Sequence, residues 1–543
     1  MAATAAALLA LTPFAAVPAL ADQAQPNPGV ARISLIDGDV GVRHSDAGDT
    51  VAAVLNAPLL AGDYLSTGDS GSDAELQVDA ATLIRVGYST QLRFTKLDSG
   101  ERVAQLAQGT IEERVFQGGT PVAIDTPSVT IRPQGAGAYR IGVADDGSAQ
   151  VTVRSGTLDI LTPQDHQTLA AGHSANVSGD TDKPAIEVVD EVAKDDFDAF
   201  NEKRDAAVVP ALADSPLPPA MAYDNYDRYG QWVQDPQYGQ VWAPTEPPGW
   251  TPYSNGQWTW EGGYGWTWIS YDPWGWGPYH YGRWFLSPSY GWCWYPPQQP
   301  AVAVWSPALV AFVGFGGGPG AGIAAIGWVP LAPREPFYPW YGWSGGVFAA
   351  STTVNVVNVS SVTYVNRFYG RQVTIDRWQA GSFGHPAHIT PTDWEDVQVV
   401  HGALPVVPTR ANLRFSNKPA PVQLAKAPIS RPRFATLSQP AKTVPFEQVR
   451  SSLGTHVQSP ERAPGAQQPA PAGNAWDRFD RPRPAGESGA PGSASQTNSP
   501  HGTAPQNTYH GAGQAPAAHG SPAPQHKSTK PPPQKKDDDT KKQ

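Results

Sequence analysis

Between residues 30 and 180, apolar and polar positions alternate in short runs. Ala74, Leu76 and Val78 form one run; Val129 and Ile131, Val151 and Val153, and Leu158 and Ile160 form others. Successive side chains of a strand point to opposite faces, so this period of two predicts strands. Turn signals divide the runs at Gly68-Asp69, Asp98-Ser99-Gly100 and Asp145-Asp146-Gly147. Short strands at this spacing predict an all-β sandwich, barrel or solenoid over 22–180. Farther on, Val188, Val189, Val192, Phe197 and Phe200 make an apolar stripe among charged residues, which predicts a helix over 186–206. Asp195 and Asp196, with Lys203 and Arg204 beyond them, suit the dipole of a helix over Asp195–Arg204. Pro210 to Pro219 reads as a linker, so 181–220 is expected to connect two units.

The next pattern is a repeat. Gly249-Trp-Thr-Pro-Tyr-Ser-Asn-Gly-Gln-Trp258 and Gly275-Trp-Gly-Pro-Tyr-His-Tyr-Gly-Arg-Trp284 match at Gly, Trp, Pro, Tyr, Gly and Trp, offset by 26 residues. Tyr264-Gly-Trp-Thr-Trp268 and Tyr290-Gly-Trp-Cys-Trp294 match at the same offset, and a degraded copy lies one period earlier at Gly230-Gln-Trp232, Tyr238-Gly239 and Trp242. A fixed period marks repeated supersecondary units. Within one unit, Trp258 and Trp260, and Trp266 and Trp268, sit two apart and share a strand face. Glu261-Gly-Gly263 lies between them as a turn, where the other copies have Asp235-Pro-Gln237 and Ser287-Pro-Ser289. Each unit is therefore a β-hairpin with an aromatic face, and a lone hairpin is barely stable, so three should pack together or on a neighbour over 221–300.

Two roles are open for those rings. They can be the core, since Gly-rich hairpins have little else to bury. Alternatively Trp250, Tyr253, Trp258, Trp260, Trp266, Trp268, Trp276, Tyr279, Trp284, Trp292 and Trp294 form a ligand face, because stacked aromatics suit sugar rings and indole cages suit quaternary ammonium groups. Trp at both ends of every unit exceeds what recognition needs, which favours the core.

Composition refines this picture. The chain has 543 residues with 56 Pro and 54 Gly, and twelve of its 19 Trp fall between Trp232 and Trp294. The net charge of −11 offers no basic field for nucleic acid. One cysteine, Cys293, excludes an internal disulfide and a cysteine metal cluster. Ala2 to Ala21 is small or apolar and ends in Ala19-Leu20-Ala21, the exit pattern of a cleaved signal peptide, though no Lys or Arg precedes it. Ala303 to Val329 is uncharged, but Pro307, Pro319 and Gly316-Gly-Gly318 oppose a spanning helix, so packed loop and strand are expected. Val347 to Val365 is β-branched and reads as one or two strands; Trp378 and Trp394 carry folded structure to about residue 410. From 415 to 543 Pro, Ala, Gly, Gln and Ser dominate, and a long disordered tail is expected.

Two stretches resemble known families. Pro58-Leu-Leu-Ala-Gly-Asp-Tyr-Leu-Ser-Thr67, Ala74-Glu-Leu-Gln-Val78, Val122-Ala-Ile-Asp-Thr-Pro-Ser-Val-Thr-Ile131 and Val151-Thr-Val-Arg-Ser-Gly-Thr-Leu-Asp-Ile160 resemble the FecR-type domain, named for the periplasmic sensor of the ferric-citrate system. That resemblance implies a β-rich module and, in the best-known members, signal relay. Gln134-Gly-Ala-Gly-Ala138 departs from the family's usual Gly-Thr, and no cytoplasmic segment with a membrane span is recognised ahead of the domain. Gly275 to Trp284, Pro307-Ala-Leu-Val-Ala-Phe312 and Gly327-Trp-Val-Pro-Leu-Ala-Pro-Arg-Glu-Pro336 resemble a Trp-rich domain of unknown function that commonly follows FecR-type modules, over about Tyr229 to Val400.

The search for reaction chemistry is negative. Serine-hydrolase, zinc-protease, P-loop and dinucleotide fingerprints are absent, so no catalytic residue, cofactor or metal ligand is assigned. Asp145-Asp146 sits in a turn. His280 reads as a packed, hydrogen-bonded side chain, Cys293 as the face opposite the indoles, and Arg334-Glu335 as either a buried pair or a turn. His501-Gly, His510-Gly and His519-Gly recur every nine residues and read as a solvated repeat, with weak metal capture as the other reading. The sequence thus predicts a mainly β, exported, non-enzymatic envelope protein that binds or scaffolds. It would sit in the periplasm or be secreted, without spanning the membrane once the signal is cleaved. Its partner would be an envelope protein or a polysaccharide. A signal-sensing regulator working through a membrane partner, or a polysaccharide binder using the Trp face, is the alternative.

Overall fold

Pairing follows the alternation. A computed structural model describes residues 29–451 with interruptions, the longest at 341–363. The segments expected to be a signal peptide, the strands of 347–363 and the His-Gly repeats lie outside the described residues, as does most of the expected disordered tail. The fold is mainly β. Seventeen strands from Ala31–Asp37 to Ala185–Asp190 form one hydrogen-bonded network. It folds back on itself along the strand Arg102–Val115. The first half of that strand pairs antiparallel with Gln91–Leu97 and parallel with Ala123–Asp125. Its second half pairs with Thr82–Val86 and Gly137–Val143. Gly109 marks the change of partners: its φ is +90°, and a Cβ there would lie 2.4 Å from the Thr90 Cα. Ile33, Leu76, Ile84, Phe94, Leu106, Ile111, Ile124, Ile131, Ile141 and Val151 fill the interior.

The helix differs from the sequence expectation at both ends. Val188 and Val189 belong to the strand Ala185–Asp190, which pairs along His173–Ser178, so these β-branched residues follow a period of two. The helix runs from Asp196 to Asp214. The Asp195 carboxylate caps it, accepting from Phe197 N at 3.0 Å and Asp198 N at 3.2 Å, while Asp198 accepts from Asp195 N. Pro210, expected in a linker, lies inside the helix. Proline denies a hydrogen bond only to the carbonyl four residues back, and Ala206 is exposed where water can reach it. Lys203 and Arg204 therefore fall mid-helix rather than near its end.

Charge, not the apolar stripe, docks this helix. Phe197 and Phe200 are half-buried and stack on each other, whereas Asp198 and Asn201 are buried. Beneath them a charged row crosses the sheet, because Glu75, Arg85 and Glu112 are in register on neighbouring strands. Arg85 Nε meets Glu75 at 3.1 Å, and its other nitrogens reach Asn201 O at 3.0 Å and Asp205 at 2.6 Å. Arg204 comes down on Glu75 at 2.6 Å. Arg140 and Arg154 hold Asp198 near the N-terminus. Burial opposes ionisation of Glu75, but Arg204 and Arg85 outweigh it and hold the carboxyl below its usual value.

The three hairpins are present. Gly230–Asp235 pairs with Gly239–Pro244, Gly256–Glu261 with Gly265–Ser270, and Arg283–Ser287 with Gly291–Tyr295. Opposed indoles recur as Trp232 with Trp242, Trp258 with Trp268, and Trp284 with Trp294. The repeated glycine of each turn adopts positive φ: +76° at Gly239, +71° at Gly265 and +74° at Gly291. Outer hairpins one and three join through Trp242 and Trp294, while the middle hairpin is a separate two-stranded sheet. Val310–Phe315 and Ala325–Pro330 pair as buried strands, the loop-and-strand arrangement expected there. No described helix is long and apolar enough to cross a membrane.

Order also extends past residue 415, where the tail was expected to begin. Phe415 joins the β-domain core, Pro419 bridges to Val51, and Leu424 bridges to Gly68. Ala435 exchanges hydrogen bonds with Thr126 and Thr130. Isolated apolar residues anchor this return along strand edges, which a composition average does not register.

Arg85→Ala should destabilise the fold by about 3–5 kcal/mol, because Glu112 then loses its buried counter-charge, while Glu75 keeps Arg204 and Asp205 keeps Arg114; urea unfolding measures it. A second outcome concerns Glu113. Burial raises its carboxyl from 4.5 to about 8, against a hydrogen bond from Val122 N. The folded chain then holds a proton that the unfolded chain releases, so stability falls as pH rises from 4.5 to about 8. Glu113→Gln should reduce that fall in thermal melts, leaving the parts due to Glu112, raised to about 7, Glu261, raised to about 8, and His44, raised from 6.5 to about 9.

Candidate functional site

Alternation gives the middle hairpin two different faces. Trp258, Trp260, Trp266 and Trp268 point into the Trp module, where Trp258 meets Phe312, Trp328 and Trp378. Gln257, Thr259, Glu261, Thr267 and Ile269 point the other way, and Ile269 belongs to the β-domain core. Strand pairing is therefore replaced by burial on both sides, which explains how a two-stranded sheet survives alone.

The rings proposed as a ligand face are that module's interior. Tyr253, Trp258, Trp266, Trp268, Trp276, Tyr279, Trp284, Trp292 and Trp294 are buried, while Trp250 and Trp260 are half-buried. Some of their polar edges are committed too, whereas the indole N–H groups of Trp250, Trp258, Trp266 and Trp268 are buried without a partner among the described residues. Trp284 Nε1 donates to Pro278 O at 2.9 Å, and Trp294 Nε1 donates to Tyr281 O at 2.8 Å. Tyr253 OH donates to Tyr279 O at 2.8 Å and accepts from Leu309 N at 3.0 Å. Trp258 and Trp268 meet edge to face at 5.4 Å, as do Trp260 and Trp266 at 5.5 Å.

Other candidate residues resolve as follows. His280 is fully buried, stacks on Trp305, and sits 2.7 Å from Ser306 O through Nδ1. Burial lowers it to about 3, so the ring is neutral with its proton on Nδ1. Cys293 lies with Val241, Ala243 and Phe285 on the face opposite the indoles. Burial pushes its thiol up to about 12, which suppresses the thiolate. Arg334 has φ +71° and is exposed, and Glu335 accepts from Ala332 N and Val365 N, so this pair is a turn.

The groups that sequence reasoning missed lie on the seam between the β-domain and the Trp module. Arg32, 2% exposed, forms a two-pronged pair with Asp224 at 2.8 and 3.2 Å and lies over the Trp276 ring. Asn56 Nδ2 donates to Asp272 O at 3.0 Å, and Tyr223 OH donates to Ala80 O at 2.9 Å. Thr259 and Gln257 bond Asn412 O and Arg414 O, both at 2.8 Å.

At the seam's centre, His44 Nδ1 lies 3.1 Å from Asp63 Oδ1 and 3.2 Å from Glu261 Oε2. Asp63 is fixed from behind: Oδ1 accepts from Ser45 N at 2.9 Å and Oδ2 from Leu60 N at 2.7 Å. Phe415 closes the site with its ring edge-on to His44 at 5.5 Å. Burial opposes the charge on His44, but Asp63 and Glu261 outweigh it and raise the imidazole to about 9. Burial raises Glu261 to about 8 against the pull of His44. One signal for the site existed in the repeat. The position holding Asp235, Glu261 and Ser287 carries a turn cap in copy one, where Asp235 accepts from Gln237 N and Tyr238 N. Glutamate is longer, and in copy two it reaches across the seam instead.

Comparison with known proteins places part of the chain. Residues 223–335 match a family model described as a family of unknown function (DUF6600), a shorter span than the resemblance suggested. No curated protein matches the chain. Two crystal structures of a protein provisionally assigned as an anti-sigma factor, from Parabacteroides distasonis ATCC 8503, show similarity at 17% and 16% identity. They cover 25% and 26% of this chain, with a TM-score of 0.21 in each case. The chain spans 63% of the length of the first and 72% of the second.

Proposed function

We propose that this chain is an exported, non-enzymatic contact protein of the bacterial envelope, in which a FecR-like β-domain and a Trp module present one continuous body to a partner. One observation carries the reading: the indoles are spent on the module's own core, and the polar face of the middle hairpin is spent on the β-domain. Rings in that state add rigidity and shape rather than a stacking surface for sugars. Binding to the partner would then draw on the outer surface of the joined modules. The FecR-type motifs support a second reading, a signal-sensing regulator acting through a membrane partner. Val122 to Ile131 and Val151 to Ile160 fall largely on three strands of one sheet, in which Thr130–Pro133 pairs with both Ala123–Asp125 and Thr157–Leu161.

Tryptophan emission titrated with peptidoglycan fragments and surface glycans should stay unchanged; a saturable shift or quench would restore the polysaccharide reading. Pull-down of the intact chain from envelope extracts should recover a protein, and recovery of glycan alone would sink the contact role. The joined body itself is tested by Asp224→Ala. It strands the Arg32 charge in the seam and should cost about 3–5 kcal/mol in urea unfolding.

A further inference from the structure

We propose that His44, Asp63 and Glu261 form a binding site for a divalent transition cation of the zinc class, clasping the Trp module to the β-domain. The donor set is one imidazole nitrogen and two carboxylate oxygens, all borderline or hard ligands of the kind such cations take. Tetrahedral bonds of roughly 2.0–2.2 Å place neighbouring ligand atoms about 3.3–3.6 Å apart. Nδ1 of His44 lies 3.1 and 3.2 Å from its two carboxylate neighbours, and the three ligand atoms lie within 4.8 Å of one another. A small movement admits the ion.

Glu261 makes the case beyond proximity. It is fully buried, and neither Oε1 nor Oε2 accepts a hydrogen bond among the described residues, so His44 is its counter-charge. Two carboxylates and one imidazole balance a divalent cation with no proton needed. Without the ion the dry site balances only by holding two protons, one on His44 and a second on a carboxyl group, and a divalent cation replaces both. Asp63 is pre-positioned by the amides of Ser45 and Leu60, a supporting shell that fixes a ligand before the ion arrives. The His44 side chain is 9% exposed, so the site lies one side chain beneath the surface. The ligands come from both modules, so binding requires the assembled seam and should stabilise it. This inference stands apart from the envelope role: it concerns the folded chain in any compartment.

The full chain, stripped with chelator and titrated with zinc chloride, should bind one ion that raises the thermal unfolding midpoint. Zinc held elsewhere on the chain does not depend on Glu261, so the variant below separates it from the site. Glu261→Gln, which keeps the shape, should abolish the rise; a midpoint shift as large as in the wild type overturns the site, as does no shift in the wild type. Should the variant fail to fold, zinc-edge X-ray absorption of the wild type decides. A nitrogen and oxygen shell with one imidazole supports the site, whereas a shell of several imidazoles overturns it.

Discussion

The middle hairpin, buried on both faces, sets the rest of the structure. A two-stranded ribbon has only two ways to persist in water: more strands, or cover above and below. Among the described residues Gly256–Glu261 and Gly265–Ser270 have no further strand partner, and cover comes from the indole core on one side and the β-domain on the other. Period two then dictates the chemistry of each side. The odd-numbered residues from Gln257 to Ile269 face the seam and the even-numbered Trp face the aromatic core, so the same alternation that makes a hairpin also makes a joint. Sliding either strand by one residue would exchange the faces and put indoles into a polar seam.

Apolar burial and charge divide the labour. Within each module the interior is mainly aliphatic or aromatic, while the contacts between elements add charged pairs: Arg85 and Arg204 under the helix, Arg32 with Asp224 and His44 with Glu261 on the seam. Buried ion pairs add little net stability against an apolar substitute, yet they are severe when broken. Their directional geometry admits one docking position and penalises neighbours of it, which greasy faces do not do. Ser416, Arg414 and Asn412 extend this pattern, carrying the chain after the Trp module back along the same joint.

What could be read from the sequence was whatever local spacing encodes. The strands of the β-domain follow from alternation, and the hairpins from a period of 26 punctuated by Gly239, Gly265 and Gly291 at positive φ. The helix was misjudged because its docking face is polar. Val188 and Val189 imitate a helical stripe while belonging to a strand, and the docking face is made by Asp198, Asn201 and Asp205, spaced three and four apart. The seam was illegible for another reason. Arg32 finds Asp224, and His44 finds Glu261, across distances in sequence that no periodicity spans. The return of Phe415, Pro419 and Leu424 to the β-domain escaped notice because single anchoring residues sit in a composition that otherwise suggests no core.

The repeat also shows where the chain departs from its own rule. Three equivalent positions hold Asp235, Glu261 and Ser287, and three surroundings account for them. Asp235 caps its turn, and Ser287 donates to Asp235 at 3.3 Å, so the outer hairpins use the position to stitch themselves together. In the middle copy that stitching is impossible, because this hairpin pairs with neither neighbour. Serine there could cap the turn with no charge to bury. Glutamate instead carries a carboxyl group into a dry seam where, among the described residues, neither oxygen accepts a hydrogen bond, an expensive choice for a residue whose role is only to turn the chain. A local rule broken at a cost marks the position where packing alone does not explain the residue. In this molecule that position is also where its two modules meet.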